Sequence, residues 1–405
     1  MKIFVIHNYY QQLGGEDRVF ASETSLLEAK GHQVVRYTIH NDAVADLNPI
    51  QLAGATVWNQ EIYRELRQLL RQEKPQLVHF HNSFPLISPS AYHAARAEGL
   101  PVVQTLHNYR LLCPSAVFFR QGQVCEDCLG NFVPWSGVVH ACYRENRAAT
   151  GMVSAMLTLH RVLKTWTETV DLYIALSEFS RQKFIQGGLP ADKILVKPNF
   201  VYPNLEPSTG SGEYALFVGR LSPEKGVDTL LAAWEKLQGK YPLKIVGDGP
   251  LKEQVIQATT RIPEIEWLGW KSNEEVYELM GAATMLIFPS EWYETFGRVV
   301  VEAFAKGTPV LAADIGGIAE LVASGRTGLR FRPGDPEDLA RQVEWCLNHP
   351  TKLAQMRCNA RTEFETKYTA EQNYQMLISI YRESIRIRNH QTLTKIFDGL
   401  TKIPF

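Results

Sequence analysis

Hydrophobic and polar residues along the chain follow two alternating patterns. Short continuous apolar runs are separated by longer segments in which apolar residues recur every three to four positions, as in DRVFASETSLLEAKG at 17–31. The short runs are typical of buried β-strands and the longer segments of amphipathic helices, so the alternation predicts parallel sheets with crossover helices. The predicted strands are 2–8, 32–39, 77–82, 101–108, 172–177, 214–220, 243–249, 265–270, 283–290 and 308–314.

One segment without periodicity divides this pattern. Residues 199–213, NFVYPNLEPSTGSGE, are rich in Pro, Ser and Gly and are typical of a linker. The sequence therefore predicts an α/β protein with two Rossmann-like, doubly wound domains, 1–200 and 212–368, followed by a C-terminal segment, 369–405. Because ligands bind beyond the carboxyl ends of parallel strands, we expect both domains to face a central cleft.

Composition narrows the class of protein. Hydrophobic residues make up 45% and charged residues 21% of the 405 positions, as in soluble globular proteins. A formal net charge of −1 argues against a nucleic-acid partner. The N-terminal MKIFVIHNYY has too short an apolar run for a signal peptide, and no stretch has the apolar length of a membrane span. We expect a cytoplasmic protein.

The loop after the strand at 214–220 carries two cations. In VGRLSPEKG, Arg220 and Lys225 lie at the tip, while Pro223 and Gly226 shape the turn. Two cations beside a helix N-terminus suit a diphosphate. A solvated loop that ends on a glycine is the alternative.

A pair of glycines follows the first strand. Gly14 and Gly15 in NYYQQLGGEDRVF would let backbone N–H groups approach an anion at the start of a helix. The segment lacks the G-x-G-x-x-G pattern, which disfavours a nicotinamide dinucleotide. An ordinary tight turn is the alternative.

Two glutamates, Glu294 and Glu302, lie eight positions apart in YETFGRVVVEAFAKGTPVLAADIGG. We expect a helix to begin near Gly297, with the amides of 295–299 directed at a ligand. Carboxylates can bind vicinal hydroxyls while the amides hold an anion. The alternative is a helix-end charge at Glu294 and a solvated residue at Glu302, although the apolar VVVEAFA gives little reason for a carboxylate there.

These motifs together resemble a known family. The segment 294–317 is similar to the E-x7-E region of the retaining glycosyltransferases of family 4, which have the GT-B fold. VGRLSPEKG resembles their phosphate-binding G-R-x4-K-G, and Gly14-Gly15 and the histidine in TLHNYR are also similar. The resemblance extends over essentially the whole chain.

The resemblance implies roles for individual residues. Arg220 and Lys225 would hold the donor diphosphate, Glu302 the ribose, and Glu294 the donor sugar. His107 would lie near the reacting sugar carbon, so the residues placed at the reaction are His107, Glu294, Arg220 and Lys225. The donor-binding residues that it implies are Gly14, Gly15, Gly219, Gly269, Trp270, Thr295, Phe296, Gly297, Val299 and Glu302.

The implied reaction needs no cofactor. The chain contains no Asp-x-Asp pair, so no ligand set for a metal at the diphosphate is evident, and Arg220 and Lys225 would offset the leaving-group charge. Same-face attack and double displacement through a carboxylate both stay open. The implied partners are a UDP- or GDP-sugar donor and a glycan or lipid-linked acceptor.

Two other classes of function compete with transfer. A nucleotide-sugar epimerase or a phosphorylase could share the two-domain layout, and a non-catalytic nucleotide-sugar-binding protein could keep Arg220 and Glu302. The presence of His107 and Glu294 as well favours the transferase.

Residues 111–146 depart from the common family pattern. They contain Cys113, Cys125, Cys128 and Cys142 in the spacing C-x11-C-x2-C-x13-C, which suggests a structural zinc with four thiolate ligands. Unligated thiols or redox-labile pairs are the alternative. We expect Cys346 and Cys358 to be core thiols.

Two further segments are helical by pattern. Residues 142–166 are apolar with basic ends, and could rest on anionic lipid headgroups or pack against the N-terminal sheet. In 369–390, Tyr374, Leu377 and Tyr381 have the spacing of one buried face, as in the family's helix that returns to the first domain. Residues 391–405 give no functional signal.

Overall fold

The computed structural model describes residues 1–11 and 14–400, with side chains to Gln391. The chain forms two compact units. The first unit contains Met1–Ala116, Glu126–Lys197 and the described chain from Tyr374 onward. The second contains Val117–Cys125 and Pro198–Asn373, so a short piece of the cysteine-rich segment belongs to the second unit.

Each unit is built on a parallel six-stranded sheet. The first sheet has the order β2-β1-β3-β4-β7-β8 and the second β11-β10-β9-β12-β13-β14, while β5 and β6 form a separate antiparallel hairpin. The strands are β1 (Lys2–Tyr9), β2 (Gln33–His40), β3 (Leu77–Asn82), β4 (Val102–Thr105), β5 (Phe119–Arg120), β6 (Gln123–Val124), β7 (Leu172–Ala175), β8 (Ile194–Val196), β9 (Ala215–Val218), β10 (Leu243–Val246), β11 (Ile265–Gly269), β12 (Met285–Phe288), β13 (Val310–Ala313) and β14 (Gly328–Phe331).

Helices connect the strands of both sheets. They are α1 (Gly15–Ala29), α2 (Pro49–Val57), α3 (Gln60–Glu73), α4 (Ser90–Ala97), α5 (Trp135–Val139), α6 (Arg147–Val162), α7 (Glu178–Gln186), α8 (Val227–Leu237), α9 (Lys252–Arg261), α10 (Asn273–Ala282), α11 (Arg298–Lys306), α12 (Ile318–Leu321), α13 (Pro336–Asn348), α14 (Pro350–Lys367) and α15 (Ala370–Leu400). Local signals set their ends: Asp335 accepts the amide of Asp338 (2.9 Å) before Pro336 at the start of α13, and Gly307 ends α11 with φ +75.

The C-terminal helix completes the core of the first unit. Leu377 and Tyr381 of α15 are fully buried against Ile3 and Val5 of β1, and Tyr374 packs beside them. Burying a side chain of this size contributes about 1.5–3 kcal/mol. The buried face predicted from the spacing of these residues is confirmed.

The apolar runs located the central strands and one edge strand of each sheet, β2 and β11. Each predicted strand overlaps an observed one, and 199–213 contain no helix or strand. The edge strands β8 and β14 and the hairpin β5–β6 were not predicted. Strands β5, β6 and β8 have only two or three residues, too few to show a hydrophobic pattern, and the apolar residues of β14 are interrupted by Arg330.

Candidate functional site

The predicted donor loops leave neighbouring strands of the second sheet. The strand order reverses at β9 and β12, which lie side by side, and ligands of doubly wound sheets bind at such a reversal. The loop 219–226 follows β9, and the loop 289–297 follows β12 and leads into α11. The topology therefore brings both motifs to the same edge of the sheet.

These two loops touch each other. The Glu291 amide donates to the Glu224 carbonyl (2.9 Å). Gly226 has φ +69, and a Cβ at that position would lie 1.9 Å from the Pro289 carbonyl oxygen. Only glycine fits such a turn at so close an approach, which explains why the basic loop ends on this residue.

Glu294 is the centre of a hydrogen-bonded group. Its side chain is nearly buried, and Oε1 accepts from Lys225 Nζ (2.5 Å), Trp292 Nε1 (2.9 Å) and Ser290 Oγ (3.1 Å). The Lys225 ammonium also faces the Trp292 ring, 5.3 Å from its centroid. All three bonds go to Oε1, and the described residues give Oε2 no hydrogen bond. Lys225 and Glu294, which the sequence analysis assigned to the diphosphate and the sugar of one donor, are therefore in direct contact.

Glu302 lies inside the first turns of α11 and is only 3% exposed. Arg298, one turn earlier, places Nε 3.0 Å from Glu302 Oε1, and the Tyr277 hydroxyl donates to the same oxygen (3.3 Å). The alternative of a solvated helix residue is therefore wrong. A carboxylate buried in an apolar helix requires partners of this kind.

The other predicted residues of the second unit differ in exposure. Arg220 is exposed, and among the described residues it has no ion pair or side-chain hydrogen bond. Trp270, directly after β11, is 70% exposed. Gly269 has φ +69, and Gly297 precedes α11 as its N-cap. The remaining positions are Thr295 and Phe296, which are buried, and Gly219 and Val299, which are half-buried.

The glycine pair of the first unit is only partly open to a ligand. The Gly14 amide donates to Asp17 Oδ2 (2.6 Å), and Asp17 Oδ1 lies 2.7 Å from His7 Nε2. A Cβ at Gly15 would meet no atom within 4 Å. The expectation that both amides are available is therefore corrected: the Gly14 N–H already has an acceptor, whereas the surroundings of Gly15 are open.

Glu16, which follows the glycine pair, has a raised pKa. Burial raises the pKa of Glu16 to about 8, although the hydrogen bond from Asn108 Nδ2 to Oε2 (3.0 Å) opposes this shift. The carboxyl is thus mainly neutral at pH 7. It limits the negative charge at the start of α1.

His107 follows β4 and bonds to a second histidine. Its Nε2 lies 3.0 Å from His81 Nδ1. Burial, reinforced by His81 and His7, lowers the pKa of His107 well below its usual value, so the ring is neutral. The role near the reacting carbon stays a prediction.

Behind His107 is a buried polar cluster that the sequence analysis missed. Glu23 of α1 lies within 3.3 Å of ring nitrogens of both His79 and His81, and its Oε2 accepts from Lys197 Nζ (2.9 Å). All four side chains are at most 3% exposed. The available signal was LVHFHN, because two histidines two residues apart on a buried strand share one face.

The four cysteines of the predicted zinc site are divided between the two units. None of the six cysteines, all within the described chain, is in a disulfide. Cys113, Cys128 and Cys142 belong to the first unit and Cys125 to the second. Glu23, His79 and His81 of the first unit have their potential ligand atoms within 4.8 Å of one another. The zinc site stays a prediction.

The two remaining cysteines differ in their burial. Cys346 is buried in the core of the second unit, where burial raises its pKa to about 12. Cys358 is exposed on α14, so the expectation of a core thiol is wrong there. The weak amphipathic pattern of α14 did not mark its outer face.

The helix with basic ends that follows the cysteine-rich segment is packed along one face. Val153, Met156 and Leu157 of α6 are buried against Phe84, as the packed alternative expects. No described helix combines the length and apolar character needed to cross a bilayer. Large apolar side chains are exposed before and on α5 and at the end of α6, and together they are called the exposed apolar patch: Phe132, Val133, Trp135, Val139, Leu159, Val162 and Leu163.

Comparison with known proteins identifies the family. The sequence profile described as Glycosyltransferase Family 4 matches residues 13–205, and that described as Glycosyl transferases group 1 matches residues 205–363. This chain belongs to family 4 of the glycosyltransferases. The family is a retaining one, and the resemblance noted from the motifs is confirmed.

Individual relatives of this family-4 chain span different lengths. An uncharacterised glycosyltransferase of Methanocaldococcus jannaschii, MJ1178, is 29% identical over 54% of this chain and 61% of its own length, so the chain spans less than two thirds of that relative. The D-inositol 3-phosphate glycosyltransferase of Rhodococcus erythropolis is 25% identical over 81% of this chain and 72% of its own.

A solved structure shares the fold of this family-4 chain. The Anabaena protein Alr3699/HepE, solved in complex with UDP-glucose, superposes with a TM-score of 0.65 at 22% identity and covers 98% of this chain and 100% of its own. The two parallel six-stranded sheets and this likeness confirm the predicted GT-B fold.

Proposed function

We propose that this protein transfers a sugar from a UDP-sugar to a hydroxyl acceptor with retention of configuration. The observation that carries the proposal is the Lys225–Glu294 pair at the start of α11 (2.5 Å), beside a topological reversal of the second sheet. A cation for phosphate and a carboxylate for sugar hydroxyls are thereby adjacent. The UDP-glucose in the Anabaena structure supports UDP over GDP.

The second unit would bind the donor from diphosphate to ribose. Arg220 and Lys225 would contact the diphosphate, and the amides that open α11 would add a dipole of the same sign. Glu294 Oε2 would accept from the sugar and Glu302 from the ribose. We propose that the cations alone offset the leaving-group charge, without a metal at the diphosphate.

The exposed apolar patch favours contact of the first unit with a membrane. Arg161 fixes this surface, because its Nη1 donates to the carbonyls of Asn131 and Phe132 (2.6 Å each) and thereby holds the loop that precedes Trp135. Aromatic residues exposed near basic residues suit a lipid–water interface. We propose a lipid-linked acceptor at the membrane surface of the cytoplasm, with polysaccharide or glycolipid synthesis as the pathway.

Calorimetry with UDP, GDP, uridine and UDP-glucose tests the donor. UDP should bind tighter than uridine, with and without EDTA, and GDP should bind weakly. Equal binding of UDP and uridine would contradict the diphosphate site, and loss of binding in EDTA would contradict metal independence. Sedimentation with anionic vesicles tests the membrane contact, and Trp135→Ser should reduce the bound fraction.

The epimerase alternative predicts a different product. Incubation with UDP-glucose and no acceptor, followed by NMR of the sugar, would show an epimer if the protein were an epimerase. Transfer predicts slow hydrolysis at most, and an α-linked product once an acceptor is supplied.

A further inference from the structure

The polar cluster behind His107 forms a continuous chain of side chains in the first unit. Lys197 Nζ donates to Glu23 Oε2 (2.9 Å), Glu23 Oε1 lies 3.2 Å from His81 Nε2, and His81 Nδ1 lies 3.0 Å from His107 Nε2. Folding places these groups in the interior, where charges and polar atoms are costly unless they interact. The chain of contacts ends on the one histidine that the family resemblance assigns to the reaction.

We propose that Glu23, anchored by Lys197, acts through His81 to hold His107 as the neutral tautomer with its proton on Nε2. Glu23 and Lys197 are then positioning residues. The inference rests on the proposed function for the role of His107, but the arrangement of protons can be measured without it.

The charge of the Glu23 carboxylate determines which ring nitrogens of His81 and His107 carry a proton. Burial opposes ionisation of Glu23, but the Lys197 ammonium is the largest of the contributions that outweigh it, and the pKa of Glu23 lies well below its usual value, so Glu23 is ionised and can only accept. Glu23 Oε1 and His81 Nε2 are not aligned as a hydrogen bond, yet at 3.2 Å a proton on Nε2 is attracted and a lone pair repelled. If the carboxylate holds a single ring proton of His81 on Nε2, the lone pair of that ring lies on Nδ1, and His107 Nε2 then donates to it.

The neighbouring His79 does not offer His81 a competing partner. His79 is bonded at both ring nitrogens, to the Tyr381 hydroxyl (2.8 Å) and the Thr105 hydroxyl (2.9 Å), so it cannot replace Glu23 as a partner of His81. The titratable or charged groups around His81 are Glu23, Lys197, His79, His107, His7 and, through His7, Asp17.

A metal ion is a poor alternative occupant of this cluster. Glu23, His79 and His81 have the spacing of a ligand set. However, the Lys197 ammonium is already bonded to Glu23, and both nitrogens of His79 already have partners. A divalent cation would lie against a buried positive charge.

A neutral His107 suits the proposed reaction. Glycosyl transfer passes through a transition state with positive charge on the sugar ring. An imidazolium nearby would oppose that charge, whereas a neutral ring in a fixed orientation does not. Glu23 therefore affects the rate of the step rather than binding of the donor.

The test compares two double variants. Because removing one partner of a buried ion pair leaves the other uncompensated, both Glu23→Met/Lys197→Met and Glu23→Gln/Lys197→Met remove the pair together. Gln keeps an acceptor oxygen opposite His81 Nε2, and Met does not. Asp171→Asn/Arg388→Met is the matched control, since Asp171 and Arg388 are another buried pair of the first unit.

Long-range ¹⁵N–¹H NMR of protein with ¹⁵N-labelled histidine shows which ring nitrogen carries the proton. The signals of His107 are assigned as those that disappear in the variant His107→Gln. The wild type should show His107 protonated on Nε2, the Met/Met variant should lose that preference, and the Gln/Met variant and the control should keep it. With a competent acceptor, the Met/Met variant should lose about 10-fold or more in kcat at unchanged donor KM.

Several outcomes would overturn the inference. These are a wild-type proton on His107 Nδ1, an unchanged tautomer in the Met/Met variant, or a stoichiometric metal that this variant alone fails to bind. Absence of transfer by the wild type would instead count against the proposed function, because the NMR result would stand by itself.

Discussion

Two lysine–glutamate pairs, one in each unit, differ in their exposure to solvent. In the first, Glu23 and Lys197 form an ion pair in which both side chains are 1% exposed. In the second, Lys225 is 24% exposed and pairs with Glu294 at the edge of the sheet, and Arg220 is exposed. A fully buried pair is part of the folded architecture, whereas charges at an open edge can exchange their partner for a ligand. The same residue types thus form a fully buried pair in one unit and a partly exposed pair in the other.

The largest expected effect is the loss of stability when the buried Glu23–Lys197 pair is broken. Lys197→Met leaves the Glu23 carboxylate without its ammonium and should lower the free energy of unfolding by about 3–5 kcal/mol. Urea denaturation measures the change. The matched control is Lys240→Met, which breaks an exposed pair with Glu344 (2.6 Å) and should cost about 1 kcal/mol or less. Similar losses for both variants would remove the contrast between the units.

Replacing Glu294 should change catalysis more than stability. Glu294→Gln should leave UDP affinity nearly intact and cut sugar transfer by about 10²-fold, because hydroxyl contacts tighten in the transition state. Calorimetry and single-turnover rates measure the two quantities. A helix-end charge alone is worth about 0.3–1 kcal/mol of stability. A variant with a lower melting temperature and full activity per folded molecule would reduce Glu294 to that role.

The exposed cation should affect ligand binding and not stability. Arg220→Ala removes a charge-assisted contact worth about 1.5–3 kcal/mol, so UDP affinity should fall while uridine affinity stays the same. The melting temperature should not change, since Arg220 has no partner to lose among the described residues. Lys236→Ala, on the surface of α8, is the control and should alter neither affinity. Equal loss for UDP and uridine would rule out a diphosphate role.

The smallest effect concerns Glu16, a half-buried acid with no ion pair among the described residues. Its pKa is raised from 4.5 to about 8, so its stabilising effect is complete at low pH and is lost as the pH rises through that interval. The free energy of unfolding should therefore fall less between about pH 5 and pH 8 in Glu16→Gln than in the wild type. Urea titrations at both pH values compare the slopes, and parallel slopes would contradict the raised pKa.

Sequence alone located what local patterns encode. Apolar runs identified the central strands, and the carboxylate within VVVEAFA was recognised as out of place in an apolar helix, as the burial of Glu302 shows. Edge strands such as β8 were missed because three residues carry no period. Partners far apart in the chain were missed for a different reason: nothing near Glu23 indicates that Lys197 will lie 2.9 Å away.

The last long helix has a consequence for synthesis on the ribosome. The first unit needs Leu377 and Tyr381 to fill its core and Arg388 to pair with Asp171, yet the chain of the second unit is translated before them. Domains of a nascent chain generally fold in order from the N-terminus. In this chain the second unit can complete its sheet first. The hydrophobic surface of the first unit that α15 covers then stays exposed until α15 is synthesised. A nascent chain arrested before Tyr374 should therefore expose that face to chaperones.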